Sequence, residues 1–168
     1  MSIPLWLDCD PGHDDAMAII LAGDASYYLA YRHTHTHTCL TPSHPPSLLR
    51  SGYSPTVTLL GISVVAGNQL LQKVTQNALD VLHASGLDHV NVVAGQAKPL
   101  LRPHPMLCPE IHGESGLDGP QGGRLLPLST KAAVEGKAVI VMFDAIQRAF
   151  RQQGTSGVRV RCDINITS

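Results

Sequence analysis

The chain has little charge of either sign and few aromatic side chains: 15% of its 168 residues are charged, 4% are aromatic, and the formal net charge is -1. Without a basic field, nothing draws in a nucleic acid or an anionic lipid surface, and a neutral small molecule is easier to accommodate than a polyanion. Its four cysteines, Cys9, Cys39, Cys108 and Cys162, are scattered with no CxxC pair. That spacing suggests neither a zinc cluster nor a disulfide framework, and reduced thiols are expected. No apolar run approaches the length of a membrane span, and Asp8 comes too early to leave room for a signal-peptide core, so a soluble, cytoplasmic protein is expected. The apolar fraction, 43%, is ordinary for a globular protein, and the length suits one domain with a real core rather than two.

Against that sparse background one stretch is crowded with acid. Asp8-Cys9-Asp10-Pro11-Gly12-His13-Asp14-Asp15 holds four carboxylates in eight residues, directly after the apolar run Ile3–Leu7 and before the helix-forming run Ala16–Ala22. The pattern predicts a strand, a Pro-Gly turn and a helix, with Asp14 or Asp15 as a cap where the helix N-terminus favours negative charge. Crowded carboxylates raise each other's pKa unless a cation holds them ionised. An all-oxygen donor set suits calcium, which accepts six to eight oxygens, better than zinc, which prefers His and Cys. The plainer reading makes one Asp a cap and leaves the others solvated.

This motif closely resembles the N-terminal signature of the inosine-uridine preferring nucleoside hydrolases, calcium-dependent enzymes that cleave the N-glycosidic bond of ribonucleosides. The resemblance implies that Asp10 and Asp15 bind Ca2+, that Asp10 also takes a proton from the water calcium holds, and that Asp14 holds the ribose hydroxyls. His13 falls at a variable position of the signature. Further along, Val57–Val65 reads as a central parallel strand ending at Ala66-Gly67-Asn68. An Asn there faces the crevice where open α/β sheets bind ligands, or simply bonds its own turn. By resemblance Asn68 contacts the ribose. His112-Gly113-Glu114-Ser115-Gly116, in a Pro- and Gly-rich loop spanning 96–127, resembles the second signature of the family, whose His lines the nucleoside pocket. A lone loop His is more often a surface residue, and the resemblance is what makes His112 substrate-proximal rather than a metal ligand.

Between these landmarks, Leu70, Leu71, Val74, Ala78, Leu79, Val81 and Leu82 predict a helix stopping at Gly86, and Val90–Gly95 a third strand. Thr130–Gln153 is expected to be one helix, with Gly136 its weak point, followed by a strand over Val158–Ile164. The order predicts an α/β protein with a Rossmann-like parallel sheet flanked by helices, an incomplete nucleoside hydrolase fold. Residues 1–168 then form a single partial domain. Residues 25–54 break the pattern, carrying an alternating tract from His33 to Thr38 and several prolines, and are expected to be a low-complexity insert foreign to the family. His on alternate positions of an extended tract could also bind a transition metal.

The resemblance therefore implies hydrolysis of a ribonucleoside to ribose and free base, with Ca2+ as cofactor and a ribonucleoside as partner. Self-association is compatible with it, because a shortened parallel sheet leaves an edge and apolar surface uncovered. The competing expectation is an inactive truncated isoform that binds calcium or family partners without turnover. The downstream calcium ligands and the group that assists the departing base, which the resemblance implies, have no counterpart in this sequence.

Overall fold

A computed structural model describes residues 3–34, 57–153 and 159–162, with side chains described for 3–23 and 57–152. In chain order the elements are β1 (Ile3–Cys9), α1 (His13–Thr34), β2 (Val57–Val64), α2 (Leu71–Ala84), β3 (Val92–Ala94), α3 (Pro109–His112), α4 (Ala138–Gln153) and β4 (Arg159–Cys162). The four strands are parallel in the order β3-β2-β1-β4. The Rossmann-like parallel sheet read from the sequence is thus the one observed.

The alternation of β1 assigns its two faces. Leu7 and Cys9 join Ile19 of α1 and Val74, Ala78 and Leu82 of α2 in one buried cluster, whereas Trp6 packs with Val93 and with Ala145 of α4 in another. Helices α1 and α2 therefore cover one face and α4 the other, as parallel strands buried on both sides require. The β1–β2 register shifts between Leu5 and Trp6, which sets Trp6 opposite Gly61. A Cβ at Gly61 would stand 2.6 Å from the Trp6 ring, so the indole fills the space a side chain would have taken. Its Nε1–H donates to Ser63 Oγ at 3.0 Å, and the Ser63 hydroxyl in turn donates to Asp8.

Strand β1 is central: the chain runs from it through α1 to β2 on one side, and later places β4 on the other. The strand order reverses between β1 and β4. In open parallel sheets the crevice outside the carboxyl ends of the strands at such a point receives ligands. The acidic turn leaves β1 at that end.

Helix α1 runs through Gly23 to Thr34, into the stretch expected to be a low-complexity insert. Gly23 is there for close approach, since a Cβ on it would lie 1.9 Å from Leu87 Cδ1. The rest of the expected insert lies outside the described residues, as do residues 35–38 of the His-Thr tract. The expectation of one helix over Thr130–Gln153 is corrected. Gly136 has φ +131, which no helix accepts, and α4 begins only at Ala138. The residues before it extend the sheet instead, with the Val134 N–H donating to Val92 O at 2.8 Å. Among the described residues no helix is long and apolar enough to cross a membrane.

Candidate active site

Helix α1 opens with the Ala16 N–H donating to Gly12 O at 3.0 Å, which puts Gly12 at the cap and Asp14 and Asp15 in the first turn. Neither acid is the cap itself. Asp15 reaches back to the turn, its Oδ2 accepting the Asp10 N–H at 2.9 Å. The side chain is buried, and that loss of hydration, augmented by the neighbouring Asp10 and Asp14 carboxylates and only partly offset by the Asp10 N–H, pushes its pKa from 3.8 up to about 7.

Strand β2 supplies the next layer. Its continuation is laid against the end of β1 by the Val65 N–H donating to Cys9 O at 3.0 Å. Two residues on, Gly67 passes so close to Asp10 that a Cβ would sit 2.1 Å from its Oδ2. Asn68 then grips Asp10 at both ends: its N–H donates to Asp10 Oδ2 at 2.7 Å and its Nδ2 to Asp10 O at 2.9 Å. Asp10, Asp15 and Asn68 are all buried and form one bonded set. Asp14 stands beside them, exposed. Asp8 is drawn away by Ser63, so the four acids of the turn do not converge on one point.

His112 arrives from the long loop. Helix α3 is tied to the Asn68 backbone by the Cys108 N–H donating to Asn68 O at 2.9 Å, and His112, its last residue, is buried. A Cβ at Gly12 would lie 2.7 Å from His112 Cε1 and 2.9 Å from Asn68 Nδ2, so the glycine seats both side chains against the turn. Four of the five residues picked from the sequence, Asp10, Asp15, Asn68 and His112, thus meet around the Pro-Gly turn, with Asp14 at its rim.

Several structural partners escaped sequence reasoning. Asn77 of α2 donates from Nδ2 to Pro11 O at 3.1 Å and to Ser115 O at 2.9 Å, joining the acidic turn to the loop that carries His112. Asp80, fully buried, accepts the Ser129 N–H at 2.7 Å and the Gln76 Nε2–H at 2.8 Å, and pairs with Arg124. The signal was present as polar residues set among the apolar positions of α2. Asp118 accepts from the Ser115 hydroxyl and from the N–H groups of Glu114 and Ser115. The Ser115 hydroxyl chiefly, with those two N–H groups and nearby Arg124, holds its carboxyl below the usual range. His13, read as a variable position, faces His112 with Nδ1 3.1 Å from the other Nδ1.

The fit to a metal is partial. Asp10 and Asp15 offer carboxylate oxygens of the kind calcium and magnesium take, and burial leaves an ionised Asp15 in want of positive charge. Among the described residues, however, no group of three or more His, Cys, Asp or Glu side chains could hold an ion. Two carboxylates fall short of a six- to eight-oxygen shell.

This geometry has counterparts among known proteins. A family model described as inosine-uridine preferring nucleoside hydrolase matches residues 47–159. A probable ribonucleoside hydrolase of Dictyostelium discoideum is 35% identical over 151 residues, covering 88% of this chain and 35% of the relative. The pyrimidine-specific ribonucleoside hydrolase RihB of Escherichia coli is 36% identical over 140 residues, covering 83% of this chain and 34% of that protein. The chain thus spans about a third of the length of these relatives. Among solved structures, an inosine-guanosine nucleoside hydrolase superposes with a TM-score of 0.65 at 20% identity, covering 96% of this chain and 39% of the other. A purine-preferring ribonucleoside hydrolase from Gardnerella vaginalis gives 0.59 at 22% identity, with coverages of 86% and 36%. These two likenesses speak to the fold, and the family match to the lineage. The chain belongs to the inosine-uridine preferring nucleoside hydrolase family.

Proposed function

We propose that this chain carries the cation-binding and ribose-holding part of a ribonucleoside hydrolase site, the whole site serving to split a ribonucleoside into ribose and free base. The observation that carries this reading is the bonded set Asp10–Asp15–Asn68 at the carboxyl end of β1, with His112 packed against the same turn. The family is generally metal-dependent, and calcium is the ion we assign to Asp10 and Asp15, since both offer only oxygen. When bound, such a cation keeps crowded carboxylates ionised and makes a water acidic enough to attack at neutral pH.

The chain's own residues supply the rest. Asp10, fixed by the Asn68 N–H on one oxygen and by the Asn68 amide on its backbone carbonyl, is oriented to take a proton from the attacking water. Asp14, exposed at the rim, is assigned the ribose hydroxyls as their hydrogen-bond acceptor, and Asn68, whose amide lies against the Gly12 turn, is assigned a contact with the same sugar. His112 lines the nucleoside side of the turn. None of these residues is assigned to help the departing base, which is the remaining service the reaction requires.

A second reading is favoured by one observation. Among the described residues only two buried carboxylates, those of Asp10 and Asp15, meet at the turn, too few for a complete shell, which suits a chain that binds calcium and nucleoside without turnover. Release of free base from inosine and uridine with calcium present, compared with Asp10→Asn, separates the two. Turnover abolished by that substitution supports an active site in this chain, whereas nucleoside binding without release supports the second reading. Absence of both binding and release overturns the proposal.

A further inference from the structure

The contact between His13 and His112 has no place in the roles assigned above, and it is specific in its atoms. The two rings meet edge to edge, with centroids 5.4 Å apart and planes 24° from parallel. Their Nδ1 atoms face each other at 3.1 Å, and His13 Nε2 lies 3.0 Å from the carbonyl oxygen of Asp118. We infer that His13 is a positioning residue: it fixes the His112 ring and the tautomer that ring adopts, so that His112 presents its Nε2 to the ligand as a hydrogen-bond acceptor. The inference rests on the reading that His112 lines the ligand site.

Asp118 O has lone pairs and no hydrogen, so His13 Nε2 must carry the N–H that joins them. A neutral imidazole has one N–H, which leaves His13 Nδ1 as a lone pair. The atom facing it, His112 Nδ1, is then the donor. With its hydrogen on Nδ1, His112 keeps a lone pair on Nε2, which bonds to no protein group among the described residues. A competing donor is near: the peptide N–H of His13 is 3.4 Å from His112 Nδ1 and favours the opposite tautomer. The ring-to-ring contact is shorter by a margin that matters for hydrogen bonds, and it decides the assignment. The position of the Asp118 carbonyl is itself secured, because its carboxylate accepts from Glu114 and Ser115 within the same loop. An acceptor at His112 Nε2 recognises a ligand O–H or N–H, so it selects for a ribose hydroxyl or a base N–H and against a ligand that offers only a carbonyl there.

The test is nitrogen-15 NMR of the histidine-labelled full chain near pH 8.5, above the ordinary imidazole range. It needs neither ligand nor turnover. The expected spectrum shows His112 protonated on Nδ1 and bare on Nε2. His13→Phe keeps a ring at this position but loses the acceptor, so His112 should switch to the Nε2–H form and accept the residue-13 peptide N–H. His13→Asn restores an acceptor at the δ position and should restore the Nδ1–H form. A wild-type His112 already protonated on Nε2, or a tautomer unmoved by His13→Phe, overturns the inference. Titration with ribose and with hypoxanthine then shows which donor meets Nε2 by which one moves its resonance. Failure of inosine to bind at all would count against the active-site reading, while the tautomer result stands separately.

Discussion

The peptide N–H of Asp10 donates to Oδ2 of Asp15 at 2.9 Å, so the end of β1 and the first turn of α1 are fastened by one of the acids itself. Burial makes that fastening sensitive to pH. In the unfolded chain Asp15 loses its proton near 3.8, and in the metal-free fold only near 7. Below about pH 4 both states hold the proton, and above about pH 7 neither does. Between these limits the folded state binds more protons, so this group lowers stability progressively as pH rises from about 4 to 7. Urea midpoints measured in chelator across that window should show the fall, and Asp15→Asn should remove this part of the slope. A midpoint that climbs equally in both proteins would contradict the assignment.

Gly67 sits where a single methyl group collides with the Asp10 carboxylate, 2.1 Å from Oδ2. Gly67→Ala should therefore turn Asp10 away from its Asn68 partner. Displacing a group that orients a ligand typically costs ten- to a hundredfold in metal affinity, so calcium binding should weaken by about tenfold or more. The unfolding midpoint should move far less than the affinity. The pair of measurements distinguishes a damaged site from a damaged fold.

Gly23→Ala tests why the first helix does not stop at its glycine. In an exposed helix interior this change stabilises by up to about 1 kcal/mol. Here the added Cβ would meet buried Leu87 at 1.9 Å, so overpacking should win and destabilise by about 1–3 kcal/mol. A rise in thermal midpoint would show that α1 and Leu87 do not pack closely.

The strands and their order were legible because the apolar runs Ile3–Leu7 and Val57–Val65 are short, buried on both faces and bounded by turn residues. The candidate site was legible through the resemblance of its motifs to a family, and Asp10 and Asn68 meet because each follows the carboxyl end of one of those strands, with Asp15 in the first turn of the next helix. Gly136 reads in the sequence as a weak point within a helix, whereas its positive φ keeps α4 from starting before Ala138. The pairing of His13 with His112 joins residues 99 apart along the chain, and no local spacing announces it.

Asp80 holds the long loop through Ser129 and Arg124, 49 and 44 residues further along the chain. Its buried carboxylate accepts from Ser129 and Gln76 and pairs with Arg124. Asp80→Ala would leave those donors without their partner, and a loss of about 3 kcal/mol is expected in urea unfolding. Hydrogen exchange should rise most in the segment 124–131, and protection there equal to the parent's would refute the role.

The most direct measurement is a calorimetric titration of the chain with calcium at pH 7.5, beside Asp10→Ala and Asp15→Ala. One bound ion per chain is expected, with affinity about tenfold or more weaker in either variant. No binding heat in the parent chain, or the same affinity in all three proteins, would contradict the assignment of the acidic turn as the cation site.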